Sequence, residues 1–466
     1  MPYTLSFAPP INYLEASKDY HRPVNNSIAA LPSKVNADFE RLLEILNENF
    51  RPTENLLEVI KDFQVSINDA AKNPKTFARV ILAASVFCSF FRDKSKLAEE
   101  LQYQQIDFAL DKNPKKLIPL LEHIRDEVLS TAAEACLRTW GIEQTAPFQY
   151  LDDGLNSWAV RTGDKVVLIS KGMPSVGFEK YKLRRWCAKQ FEKGGIDHQG
   201  IKNIACRPVL HVLTDYVEGI SLSTILRSAR KGWGTMDLKL GSSLTALGEF
   251  IGKVYNECTS GRIKLEGYGK LLSHGNGGFR GSSPTISKAL SDYTLRTRTI
   301  NDKLKKTILK FEQFGEKEFY LLPEIIKQVN KTREPAFIAN YDPLLKNYLY
   351  SSETKKIYAL DLDEAHICMP SECFARLIFA WGIDWRNEEG VDFGFCIDRV
   401  LEAFEPDTEK LDLLRESIFR FTAIMHLNFS IDLIDDRSFD DISPEDKLVI
   451  ASHLKKAKSL ISTLAN

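Results

Sequence analysis

FIANYDPLLKNYLYSSETKKIYALDLD, residues 337 to 363, is the stretch whose reading decides the fold. Two alternating runs, YLYS and KIYALDL, are joined by the polar segment SSETK, a pattern that predicts a β-hairpin. Such a hairpin brings Asp361 back to the neighbourhood of Asn347. Together with Asp342, these residues stand in an order that suits phosphoryl transfer. One carboxylate orients a nucleophilic hydroxyl, while a carboxamide and a second carboxylate hold a magnesium ion on nucleotide phosphates.

The remainder of the chain sets the context for that hairpin. Its 466 residues exceed the usual size of one domain, so two or three packed units are expected. Hydrophobic residues make up 44% and charged residues 27%, which fits a globular protein with a large core. Net charge is -1, with both signs interspersed, so the basic stripe of a nucleic-acid binder is missing and no nucleic-acid partner is expected. The amino terminus lacks a basic segment followed by a long apolar core, and the longest apolar run, Val80 to Phe91, is too short for a bilayer. That run reads as a buried helix, and no membrane association is expected. Eight cysteines without disulfide-scaffold spacing read as reduced thiols of a cytoplasmic protein.

Texture divides the chain into three parts. Residues 1–145 read as an irregular, proline-bearing arm of about thirty residues followed by an all-helical domain. ADFERLLEILNENF, ENLLEVIKDFQVSINDAA and PKTFARVILAASVFCSFF all repeat apolar residues at three and four. Asn73 before Pro74 and Asn113 before Pro114 mark two helix starts. Residues 146–222, beginning PFQYLDDGLNSWAVRTGDKVVLISKG, read as a small antiparallel sheet with one helix from about Phe178 to Lys193. Residues 223–466 read as a helical lobe that only the hairpin interrupts. The expected fold class is therefore α+β, with a small sheet lobe and a mostly helical lobe.

Several short motifs fall in this frame. Gly154, Asn156 and Ser157 lie between two expected strands, where a glycine lets backbone amides approach phosphates; an Asp-Gly pair is also an ordinary hairpin turn. Lys171 ends the strand VVLISK and Glu179 lies early in the next helix, so the two suit a lysine fixed by a glutamate and aimed at phosphates. Lys165, Lys180, Lys182 and Lys189 surround them, and a solvated lysine is the plain alternative. His366, Cys368 and Cys373 do not form a closed zinc ligand set. Asp392-Phe393-Gly394 spells a kinase triplet, but no hairpin precedes it and Asp361 already holds the expected place.

Taken together, these residues resemble the aminoglycoside phosphotransferase and choline kinase superfamily, a branch of the protein-kinase-like fold, over about residues 146–400. The family's nucleotide loop looks like DDGLNSWAV, its interlobe segment like YVEG, its catalytic HGDxxxxN like NYDPLLKN, and its metal-binding segment like LDLD. The resemblance implies a bilobal fold preceded by an unrelated helical domain. It makes Asp342 the catalytic carboxylate, Asn347, Asp361 and Asp363 metal-site residues, and Gly154, Asn156, Ser157, Lys171 and Glu179 nucleotide-site residues. ATP or another nucleoside triphosphate and Mg2+ are the implied cofactors, and a small molecule bearing a hydroxyl is the implied acceptor. Asn340 and Tyr341 depart from the pattern, standing where histidine and glycine are usual. That departure motivates two alternatives: a catalytically degenerate nucleotide-binding scaffold, and a transferase acting on a protein, with residues 36–140 as the partner-binding surface in either case.

Overall fold

The structure is a computed structural model that describes residues 18–50, 52–92, 114–153, 157–171, 174–229, 235–274, 278–340, 343–384, 393–405, 407–435 and 437–465. The chain divides into two compact units: Met1–Phe178 with Ile201–Tyr216, and Glu179–Gly200 with Val217–Asn466.

The first unit opens with the helix Lys18–Asn49. Ile28, Leu31, Val35, Phe39, Leu42 and Leu46 recur at helical spacing, and all are fully buried. The helix includes Pro23 and Pro32, so the irregular arm expected over the first thirty residues is replaced by helix from Lys18 onward. Proline in a helix interior costs about 3 kcal/mol, and the continuous buried stripe on both sides of Pro32 outweighs it. The next helix, Glu54–Lys72, is capped by Thr53, whose hydroxyl accepts from the Leu56 amide at 3.2 Å. The Asn73 side chain accepts from the Lys75 amide and starts the turn Pro74–Thr76, which leads into the helix Phe77–Arg92. A fourth helix spans Pro114–Thr139. Phe63 meets Phe39 at 5.3 Å and Phe87 at 5.0 Å, locking three of these helices together.

Five antiparallel strands complete the unit: β1 (Gln149–Asp153), β2 (Ser157–Thr162), β3 (Lys165–Ser170), β4 (Ile201–Ala205) and β5 (His211–Asp215), in the order β1-β2-β3-β5-β4. Trp158 and Val160 of β2, Val167 and Ile169 of β3 and Leu213 of β5 join the helices in one hydrophobic core. The helical segment and the sheet, separated at residue 145 by sequence texture, thus share a single interior. One polar contact stitches them: the Trp140 indole N–H donates to His211 Nε2 at 2.9 Å, while His211 Nδ1 lies 2.9 Å from the Val209 carbonyl. An indole can only donate, so Nε2 is the bare nitrogen and the proton sits on Nδ1.

The second unit holds two further sheets. β6 (Ile220–Ser221), β10 (Tyr348–Ser351) and β11 (Lys356–Ala359) run in the order β11-β10-β6; β7 (Tyr268–His274), β8 (Gly278–Ser283), β9 (Phe337–Asn340) and β12 (Ala365–Cys368) run in the order β8-β7-β12-β9. The hairpin of β10 and β11 is therefore not the only interruption of the helical lobe. Strands β7 and β8 pair antiparallel as a second interruption. Glycines here serve an irregular pairing: Gly267 and Gly269 have φ of +74° and +82°, and the β7–β8 register shifts between Tyr268 and Leu271. A Cβ on Gly267 would sit 2.8 Å from the Ser283 carbonyl oxygen. The helices Thr235–Thr259, Pro370–Asp384, Phe393–Phe404, Thr408–Ile434 and Pro444–Ala465 enclose the core around Phe337, Phe374, Trp381 and Phe421. None of the eight cysteines is in a disulfide. Among the described residues, no helix is long and apolar enough to cross a membrane.

Burial pushes the His211 imidazole down to about 4, against the weaker pull of its bond to the Val209 carbonyl. Its folded value lies below the unfolded value of about 6.5, so the unfolded chain takes up the proton first as pH falls. The stabilisation is complete above pH 6.5 and is lost between pH 6.5 and 4, amounting to about 3 kcal/mol. Urea denaturation across that window is expected to show this slope in the wild type, and a much flatter one in His211→Gln.

Candidate active site

The hairpin read from residues 347 to 361 forms with the expected register. Tyr348 pairs with Ala359 and Ser351 with Lys356, and just beyond the ladder the Leu360 amide donates to the Asn347 carbonyl at 3.0 Å. Asn347 closes the short turn Leu345–Asn347 and is buried. Strand β9 pairs with β12 through Ala365 opposite Asn340 and Cys368 opposite Phe337, all eight residues of the two strands being buried. Asp361 lies between these two pairings. The Asn340 carboxamide donates to its carbonyl oxygen at 2.6 Å, so the backbone is tied just after Asp361 and, through the Leu360 amide, one residue before it.

Asp361 and Asp363 share a hydrogen bond between their carboxyl groups, and the two titrate in opposite directions. Burial pushes Asp363 up to about 7, and its bond to Asp361 and that neighbour's charge add to the shift. For Asp361 burial acts upward as well, but the proton offered by Asp363 and the charges of Arg184 and Lys180 hold it below the ordinary range. The pair as a whole thus holds one proton and one negative charge, as other close carboxyl pairs do.

Two cations of the helix Pro174–Lys193 face this pair. Lys180 Nζ lies 3.5 Å from Asp363 and 3.1 Å from Glu364, and despite the opposing effect of burial these carboxylates raise its pKa. Arg184 is buried and donates to the Gln199 side-chain oxygen; its Nε is buried with no hydrogen-bond partner among the described residues. Lys180 and Arg184 sit four residues apart and so share one face of the helix. In the sequence they are two cations within EKYKLRR, indistinguishable from solvated neighbours until the helix phase is known.

The other candidate residues are placed as follows. Ser157 opens β2 opposite Ser170. The Lys171 ammonium lies 5.0 Å above the Trp158 ring. Glu179 is exposed and pairs with Lys182 at 2.8 Å. Gly154, Asn156 and Asp342 lie outside the described residues. Asp215, at the end of β5, holds Lys165 at 2.8 Å and Lys202 at 2.9 Å. His366, Cys368 and Cys373 are buried, and burial raises the Cys368 thiol well above its ordinary value. No group of three or more His, Cys, Asp or Glu side chains suited to a metal occurs among the described residues. Asp392 is outside the described residues, while Phe393 begins the helix Phe393–Phe404.

The groups paired at this point are oxygen donors, the carboxyls of Asp361 and Asp363, and the main chain of Asn347 lies across the hairpin end from Leu360. This is the set a hard cation such as Mg2+ prefers, completed by water and phosphate oxygens. The shared proton of the pair is the charge that a divalent cation would replace.

No family model matches the sequence, and no curated protein matches it. The chain is similar to several solved structures. A choline/ethanolamine kinase family protein from Mesorhizobium loti is 14% identical, with 69% of this chain and 91% of that chain covered and a TM-score of 0.41. An ethanolamine kinase from Plasmodium vivax is 14% identical, with 79% and 95% covered and a TM-score of 0.42. The GDP complex of aminoglycoside 2'-phosphotransferase-IIIa is 13% identical, with 72% and 98% covered and a TM-score of 0.46.

Because the pair holds a proton up to about pH 7, cation binding there must expel it. Affinity for Mg2+ with nucleotide is expected to rise as pH increases toward 7 and to level off above it. Calorimetry at pH 6 in buffers of different ionisation enthalpy should read about one proton released per cation. Release of none would show that the pair is not the cation site.

Proposed function

We propose that this chain is a magnesium-dependent phosphotransferase that moves the terminal phosphoryl group of ATP, or another nucleoside triphosphate, to a hydroxyl of a small molecule. The observation that carries the reading is the half-buried Asp361–Asp363 pair, which the hairpin returns to the end where Asn347 sits. It sits a short chain length from Asp342, the residue that matches the catalytic carboxylate of the family pattern.

In this reading Asp342 accepts the proton of the acceptor hydroxyl as its oxygen attacks the terminal phosphorus; the bond from that phosphorus to the bridging oxygen breaks, and nucleoside diphosphate leaves. Asn347 and Asp361, with Asp363 as the accessory acid, would hold magnesium, whose charge would neutralise the phosphates. Lys171 is the proposed nucleotide-steadying cation, and Gly154, Asn156 and Ser157 the proposed phosphate-loop residues; Glu179, which pairs with Lys182, has no assigned role in this reading. Catalysis is then mainly positioning and electrostatic stabilisation.

A second reading is favoured by one specific observation. Lys180 already pairs with Asp363 and Glu364, so the acidic site is partly neutralised by the chain itself. A catalytically degenerate nucleotide-binding scaffold, with a protein partner on the helices of residues 36–140, would retain such a pairing. A transferase acting on a protein would use the same helical surface for docking.

Turnover of ATP is to be measured against a panel of choline-like alcohols, amino sugars and macrolides, and against whole-lysate protein. Asp342→Ala is expected to lower turnover by about 10²- to 10⁴-fold, the range of a lost general base, with nucleotide binding kept. Asp361→Ala is expected to abolish the magnesium dependence of binding. Wild-type activity in both variants would refute the site, and binding without turnover on any acceptor would favour the scaffold.

A further inference from the structure

The structure assigns Asn340 as the positioning residue that aims the Asp361 carboxylate, through the hydrogen bond from its carboxamide to the Asp361 carbonyl. The inference rests on the phosphotransferase reading for its function, and on the fold alone for its geometry.

Asn340 is the last residue of β9 and lies opposite Ala365 of β12, so its backbone is fixed by the sheet. It is 8% exposed, and its Nδ2 donates to the Asp361 oxygen at 2.6 Å. That oxygen belongs to the peptide joining Asp361 to Leu362, whose side chain is buried in the core. On the other side, the Leu360 amide is bound by the Asn347 carbonyl at 3.0 Å. The Asn340 bond fixes the peptide that follows Asp361, and the Asn347 bond fixes the peptide that precedes Leu360; anchoring the backbone on these two flanks narrows the range the Asp361 carboxylate can sweep. A cation site needs that restraint, because charge stabilisation depends on ligands fixed before the ligand arrives.

The donor is the essential property. A carboxylate at position 340 would face the Asp361 carbonyl with no proton to offer, and a methyl group would leave the carbonyl unsatisfied. A histidine offers a ring N–H and meets the same requirement with a different shape. The chain thus serves, with a carboxamide on a strand end, the bracing that residue 340 must supply two residues ahead of Asp342.

The test uses the full chain with Asn340→Ala, Asn340→Asp and Asn340→His. Thermal melting first establishes that each variant is folded at the assay temperature. In Asn340→Ala and Asn340→Asp, the Mg2+ concentration needed for half-maximal nucleotide binding is expected to rise about tenfold, the scale of one buried hydrogen bond. The KM for Mg-nucleotide should rise more than kcat falls, and Asn340→His should recover most of the affinity. A structural role elsewhere would not produce that split. Hydrogen exchange of the peptide covering residues 360–365 supplies the second readout, in the ligand-free chain. Both donorless variants should exchange about tenfold faster there than the wild type, again the scale of one hydrogen bond. If the wild type shows neither magnesium-dependent binding nor turnover, the phosphotransferase reading fails, and the exchange data still decide whether Asn340 holds Asp361. Folded donorless variants with wild-type exchange over 360–365, or with wild-type magnesium dependence, would overturn the assignment.

Discussion

Two carboxyl groups one residue apart in a largely buried loop are the constraint around which the second unit is built. Taking a carboxylate out of water is costly unless it is paired or neutralised. The chain uses both remedies at Asp361 and Asp363. One proton is shared across the pair, and two cations from the helix Pro174–Lys193 face it. The surrounding backbone is pinned at Leu360 and Asp361 by bonds to Asn347 and Asn340. A site retained only for stability would be cheaper as packed apolar residues of similar size. Its persistence among Ile357, Leu362 and Ala365, all in the core, points to use rather than packing.

The same arithmetic explains what was legible in the sequence. The hairpin from Tyr348 to Ala359 was readable because its alternation is strict and its turn is polar, and a slip of one residue would turn Tyr348, Tyr350 and Ile357 out of the core. The helices of residues 54–92 were readable for the same kind of reason, through buried residues at three and four. The segment from Lys18 to Pro32 was not, because proline is a strong local signal and the burial that overrides it is a tertiary effect. Nor was the β7–β8 hairpin, since glycines that permit a bulge look identical in sequence to glycines that permit a loop.

At the site itself, the carboxylates were legible and their cationic partners were not. Asp361 and Asp363 occupy distinctive places in a short, patterned segment. Lys180 and Arg184 come from a helix more than 170 residues away in the sequence, dense in like charges, and only the fold selects which of them face inward. Asn340 is a related case. Read against a family pattern it is a departure; in the folded chain it is a donor placed on a carbonyl.

The position of Lys180 bears on how such a site would be engaged. Its ammonium is half-buried and satisfies Asp363 and Glu364 at 3.5 and 3.1 Å, so it lowers the cost of keeping the acids together without a metal. An ion pair of this exposure contributes little net stability, about 1 kcal/mol or less. In the proposed reading, a divalent cation at the carboxylates would take over the neutralisation that Lys180 and the shared proton supply here. One helix face therefore keeps the acidic pair together without any bound ion, which is what a site that waits for its ligand requires.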